Sequence, residues 1–281
     1  MQLMLFKTLW GHEASLETAI QLALDAGFNG IEGPAPTASP DAQRFRQQLA
    51  GSGLKYIAEI TTAGSYVPER HATLQEHLGS FERKLEQSLE LDPVFITCLA
   101  GCDAWPESKS IDLFGQAMEL AKAANVEVSF ETHRSRSLFT PWVTDRVLAA
   151  LPEMQITCDF SHWCVVCERL MDTELETVRS IAPRARHIHA RVGYDQGPQV
   201  PHPAAPEYRS ALRSHQQCWE ILWQSQQARD FEITTMTPEY GPDGYLHSAP
   251  FTSAPVADLW ELNCWMAEEE KQHFASFSGN Y

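Results

Sequence analysis

The sequence predicts an α/β fold of the (β/α)8 barrel type, and three observations lead there. Short apolar, strand-like segments alternate with amphipathic stretches in eight successive units over about 250 residues, close to the ~30 residues that one βα unit of such a barrel takes. Neither GxGxxG nor GxxxxGK[ST] is present, whereas a doubly wound open sheet usually carries a glycine-rich first turn. Ionisable residues recur where the later apolar segments stop, which is the rim where barrels of this type assemble their sites.

The strand-like segments, in order, are 3–10 (LMLFKTLW), 28–33 (FNGIEG), 54–60 (LKYIAEI), 93–100 (PVFITCLA), 126–131 (VEVSFE), 155–160 (QITCDF), 185–192 (ARHIHARV) and 231–239 (FEITTMTPE). Between them lie helical patterns such as SLETAIQLALDAG, SFERKLEQSLEL, DLFGQAMELAKAAN and YRSALRSHQQCWEILWQSQQ, several opened by Ser or Asp and closed by Gly or Asn. The tail SAPVADLWELNCWMAEEEKQHF has helical periodicity and is expected to form an additional C-terminal helix outside the barrel. No linker divides the chain, so residues 1–281 read as a single domain.

Composition narrows the function. With 43% hydrophobic residues in 281, the chain can bury a large core. A formal net charge of −16 works against polyphosphate partners, because nucleic-acid affinity rests on Lys and Arg neutralising the backbone. Neither DNA nor RNA is expected as a partner, and small molecules remain open. No run reaches the ~18 apolar residues of a membrane span, and MQLMLFKTLWGHE lacks the basic start and long apolar core of a signal peptide. No membrane partner and a cytoplasmic location are therefore expected. Seven scattered cysteines are expected to be free thiols, and CVVC (164–167), lacking a second pair, is read as structural.

Strand geometry gives the polar residues meaning. Side chains alternate, so in VEVSFETHR (126–134) Glu127, Ser129 and Glu131 share the inner face while Val128 and Phe130 meet the helices. Glu131 stands at the C-terminal end. QITCDFSHW places Asp159 at the end of the sixth strand with His162 three residues on, RHIHARVG puts His187 and His189 on one face of the seventh, and TMTPEYGPDGY puts Glu239 beyond the eighth. Either histidine can ligate a metal; His189, nearer the strand end, is favoured. The longer interval before Glu239 holds GYDQGPQVPHPAAPE (193–207), read as a loop over the site. Glu131, Asp159, His189 and Glu239 thus make one oxygen-rich metal site suited to Mn2+, Mg2+, Co2+ or Zn2+. Three carboxylates crowded together are costly without a cation.

The order Glu, Asp-x-x-His, His, Glu on the fifth to eighth strands resembles the xylose isomerase-like TIM-barrel superfamily, which includes sugar isomerases, ketose 3-epimerases, inositol-pathway enzymes and abasic-site nucleases of the endonuclease IV type. The resemblance implies one metal on Glu131, Asp159, His189 and Glu239, proton exchange with the substrate carbon by Glu131 and Glu239, and substrate contact by His162. The nuclease branch carries extra histidines on the third and fourth strands, where this chain has AEITTAG and TCLAGCD, so a three-metal cluster is not expected. The epimerases' further Glu and Arg fall on Ser137 and Asp195, so substrate contacts must differ. Arg191 and Arg134 offer charge for a phosphate or carboxylate, His133 and Trp163 can line the pocket, and Trp10, His12 and Trp105 also follow strands.

The resulting expectation is a metal-dependent isomerase or epimerase acting on a sugar, sugar phosphate or sugar acid by proton abstraction next to a carbonyl, through an enediolate. An inosose-type dehydratase and a non-catalytic metal- or sugar-binding protein are the alternatives. The tryptophan-rich LWELNCW (259–265) is a possible homodimer contact.

Overall fold

The computed structural model describes residues 1–37, 39–242 and 244–279. Eight parallel strands close into a barrel in sequence order: β1 (Gln2–Thr8), β2 (Gly30–Gly33), β3 (Lys55–Thr61), β4 (Ile96–Leu99), β5 (Val128–Glu131), β6 (Gln155–Cys158), β7 (Ala185–His189) and β8 (Ile233–Thr237), with β1 hydrogen-bonded to β8. The helices between them are α1 (Leu16–Asp25), α2 (Ser39–Ser52), α3 (Leu74–Leu89), α4 (Glu107–Ala123), α5 (Pro141–Ala150), the short pair α6 (Ser161–Cys167) and α7 (Leu175–Ile181), and α8 (Arg209–Ala228). The tail forms α9 (Leu259–Ser278), which packs on β1 and against α8 through Trp223, Phe274 and Phe277. All eight predicted strands are present.

Local chemistry starts these helices. Ser15, Thr73, Thr140 and Asp258 each accept a backbone N–H in the first turn of α1, α3, α5 and α9, and Thr73 completes a reciprocal box with Glu76. After α1 the chain turns through Gly27 at φ 71°, the left-handed conformation glycine adopts without strain.

The barrel interior is stacked by chemistry. At the N-terminal end Phe6, Ile57 and Phe95 make a dry plug with Met4. Above it hydroxyls bond across strands: Thr97 donates to Thr157 at 2.8 Å, and Thr157 and Ser129 are 2.6 Å apart. Higher still come the ionisable groups. Burying these hydroxyls is tolerable because they hydrogen-bond one another across the strands, while the outward faces of the strands carry the apolar residues that meet the helices. Among the described residues all seven cysteines are free, and no helix is long and apolar enough to cross a membrane.

Candidate metal centre and active-site cavity

Four side chains from neighbouring strands converge at the C-terminal rim. Glu131 closes β5, Asp159 follows β6, His189 closes β7 and Glu239 follows β8; all are buried, and one donor atom from each lies within 4.8 Å of the others. His189 Nδ1 stands 3.5 Å from Glu131 Oε1 and 3.2 Å from Glu239 Oε2, with no hydrogen-bond partner of its own. Its Nε2 is 3.0 Å from Glu32 Oε1. With Nε2–H donated to Glu32, Nδ1 faces the carboxylates with its lone pair open to a proton or a metal ion. An orphaned imidazole nitrogen among three carboxylates is the donor chemistry of a divalent cation, so the residues fit the expected metal.

His187, the other candidate ligand, is saturated from inside. Its Nδ1 lies 2.8 Å from Thr235 Oγ1, and its Nε2 lies 3.1 Å from both Glu32 Oε2 and Thr237 Oγ1. Thr237 also donates to Glu32. Glu32 therefore ties both histidines. Burial opposes its charge, but His189 and His187 outweigh that and hold its carboxyl well below the usual range. For His189 burial opposes the imidazolium, yet Glu239, Glu32 and Glu131 outweigh it and raise its proton affinity well above normal. Burial pushes the Glu131 carboxyl up to about 7, with His189 pulling the other way.

Arg191 is the built-in counter-ion. Fully buried, it donates from Nη2 to Asp159 Oδ2 at 2.5 Å and lies 3.6 Å from Glu239 Oε2. Nε donates to Ser161 Oγ and Nη1 to the Glu239 carbonyl. Burial works against its charge, but Asp159 and Glu239 raise its pKa overall. Asp159 also fulfils a local role, its Oδ1 accepting the Ser161 N–H at the start of α6.

The cluster forms part of the wall of a cavity of ≈ 470 Å3, into which Glu131, Glu239, Arg191 and His133 project. Trp10, Tyr66 and Tyr245 frame it, with Trp10 edge-on to Tyr245 at 4.8 Å and the Arg191 guanidinium over the rings of both Trp10 and Tyr245. His162 lies behind this wall: its Nε2 is 2.7 Å from Arg191 Nη2, its ring is 3.8 Å from that of His133, and its Nδ1 is unpartnered. Burial together with His133 and Arg191 holds its proton affinity well below normal. Arg134 lies outside the cavity lining and stacks on the lining residue Tyr245 at 4.8 Å.

Trp163 departs from the expected pocket position. One residue past His162 on α6, it is rotated into the helix layer, fully buried against Phe160, with its indole N–H donated to the Leu138 carbonyl. Loop 193–207 contributes nothing to the cavity lining; it folds back on the chain, with Val200 N–H bonded to Val192 O and Gln199 to Gly241. The aromatic cover comes instead from Tyr245, beyond β8. Trp105 is off the cavity, edge-on to His77, and His12 bonds the Ser15 carbonyl. Cys164 is buried and Cys167 partly so, as structural cysteines.

Two carboxylates escaped the sequence reading, Glu32 in GIEG and Glu59 in YIAEI. Each interrupts an apolar strand, the signal that marks Glu131 as well. Glu59 projects from β3 into the cavity, and burial with Glu239, Glu131 and Glu32 pushes its carboxyl up to about 8. Two other triads could hold an ion, and each shares members with the main cluster. Glu32–His187–His189 is satisfied internally, and Glu131–His133–His162 has the Arg191 guanidinium beside it.

The sequence profile of the xylose isomerase-like TIM barrel family matches residues 20–198, more than half of the chain. The chain belongs to that family. Solved structures extend the likeness over the whole barrel. A xylose isomerase-like TIM barrel protein from Mycobacterium smegmatis in complex with magnesium is 12% identical with a TM-score of 0.68, covering 97% of both chains. A D-allulose 3-epimerase from Methylomonas sp. in complex with D-allulose is 13% identical, TM-score 0.65, again over 97% of both. Endonuclease IV from Thermus thermophilus is 11% identical, TM-score 0.61, over 98% of this chain and 100% of its own. At these identities the xylose isomerase-like fold is what is shared. No curated protein matches in sequence.

Proposed function

We propose that this xylose isomerase-like chain is a cytoplasmic, divalent-cation-dependent isomerase or epimerase of sugar-like carbonyl compounds, with one ion held by Glu131, Asp159, His189 and Glu239. The observation that carries this reading is the unpartnered His189 Nδ1, 3.2 to 3.5 Å from two carboxylates at the wall of a small-molecule-sized cavity. A bound divalent ion supplies Lewis-acid polarisation of a carbonyl oxygen and offsets the negative charge that builds when the neighbouring carbon loses its proton.

The protein's own groups move the proton. Glu131 and Glu239 reach the cavity from different strands, so one carboxylate can take a proton from the carbon beside the carbonyl while the other, on another side of the substrate, returns it. Arg191 holds Asp159 and steadies Glu239, and Glu32 fixes the His189 tautomer. Trp10, Tyr66 and Tyr245 offer faces for a sugar ring and keep water out. Against nuclease activity stand the net charge of −16 and a cavity wall on β3 and β4 made of Glu59, Thr61 and Leu99, without the imidazoles that a three-metal cluster requires. Seven free cysteines suit a reducing compartment.

The test is metal analysis of the purified protein, followed by solvent-deuterium incorporation into a panel of ketoses, ketose phosphates and inososes. Incorporation next to the carbonyl, abolished by chelation and by Glu239→Gln, is expected. Bound metal with no exchange on any compound, or cleavage of abasic duplex DNA, overturns it.

A further inference from the structure

Beyond the four-residue cluster, the cavity wall contributed by β3 and α3 is polar: it carries Glu59, which feels the charge of Glu239 and Glu131, together with Thr61, Lys84, Gln87 and Ser88. Lys84 reaches in from α3 and is held at the end of β3, its Nζ donating to the Thr61 carbonyl at 2.6 Å and to Thr61 Oγ1 at 2.8 Å. An ammonium has three donors, so one is left. Among the described residues Glu59 makes no hydrogen bond or ion pair with the protein, although it faces the same space.

We propose that Glu59 and Lys84 form a hydroxyl-binding subsite that grips hydroxyls of a polyhydroxy substrate beyond its reacting carbons and selects neutral compounds over phosphorylated or carboxylated ones. This rests on the reading above for where the reacting end sits. A carboxyl accepting from one hydroxyl and an ammonium donating to its neighbour match the two faces of a vicinal diol. The cations expected to take an anion are otherwise committed: Arg191 is engaged by Asp159 and Glu239, and Arg134 is stacked on Tyr245 outside the lining. A phosphate on this wall would meet Glu59, with Glu131 and Glu239 in the same cavity, and a single ammonium.

The experiment uses metal-loaded full-length protein with D-fructose, D-fructose 6-phosphate and dihydroxyacetone, which lacks remote hydroxyls. Binding is read by saturation-transfer NMR and reaction by deuterium exchange. Glu59→Ala and Lys84→Met are expected to weaken fructose about tenfold to a hundredfold, to leave dihydroxyacetone unchanged and to retain the metal; Glu59→Gln should recover part of the loss. Fructose-6-phosphate binding as tight as fructose, unchanged fructose affinity in both variants, or no binding of a neutral ketose overturns the subsite. Glu59-dependent binding without exchange on any compound sinks the catalytic reading and leaves the subsite standing.

Discussion

The two halves of this barrel share one architecture and treat their strand ends differently. From β5 to β8 each strand delivers one donor, Glu131, Asp159, His189 and Glu239, to a common centre. From β1 to β4 the corresponding region gives Thr8, which accepts the Trp10 N–H, then Glu32, Glu59 with Thr61, and Leu99, which support or wall the site. Glu32 is the instructive case. It is as buried as the candidate ligands, but both of its oxygens are occupied by His187, His189 and Thr237. With both oxygens turned to the two histidines and Thr237, Glu32 aims His189 rather than joining the cluster itself.

The largest effect should come from breaking the ligand-bearing half. Glu239→Gln keeps size and removes the charge and the proton-accepting group, so exchange activity should fall about 10²- to 10⁴-fold. Leu99→Ala, on the opposite half of the same rim, should change it far less. Comparable losses in both would erase the distinction between the halves.

Removing the metal sharpens the contrast through stability. An ion that binds only the folded state contributes about 2.7 kcal/mol when present at a hundred times its dissociation constant. Chelation should therefore lower the melting temperature, and amide hydrogen exchange should quicken at the ends of β5 to β8 before the ends of β1 to β4. Uniform loosening would argue against a centre confined to four strands.

Much of this division was legible in the sequence, and the reasons for the rest are physical. Eight alternating units gave all the strands, because parallel barrel strands, covered on both faces, are short apolar runs bounded by polar turns. Glu131, Asp159, His189 and Glu239 stood out because each ends such a run. Glu32 and Glu59 did not, since their meaning depends on residues 157 and 180 positions away in the chain, such as His189 and Glu239. Trp163 was misplaced because its direction follows the rotation of α6, and loop 193–207 because proline content says nothing about which way a loop folds.

A smaller effect is expected from Glu32→Gln, the positioning residue of the supporting half. Losing the carboxylate that fixes a metal-bound imidazole typically costs about 10- to 100-fold in metal affinity. Competition with a chromophoric chelator should find that range while His189 itself is untouched. Unaltered affinity would show that the His189 tautomer holds itself.

The smallest change should appear outside both halves, where α8 and α9 meet. His273 Nδ1 lies 2.9 Å from Glu270 Oε2 and Nε2 lies 2.8 Å from Glu220 Oε1, while Gln216 donates to the other Glu270 oxygen. Burial opposes the charged imidazole, but Glu270 and Glu220 outweigh it and raise its pKa above the ordinary 6.5. Glu270 is likewise raised, chiefly by burial. Both groups hold protons more tightly folded than unfolded, so the stability they add is full below their unfolded pKa values and is lost as pH rises through the folded ones. For His273 that loss begins above pH 6.5. Melting curves from pH 6 to 9 should show a decline that His273→Gln flattens, with metal affinity at pH 7 unchanged. Identical pH profiles for the two proteins would mean that the α8–α9 contact is held by Trp223, Phe274 and Phe277 alone.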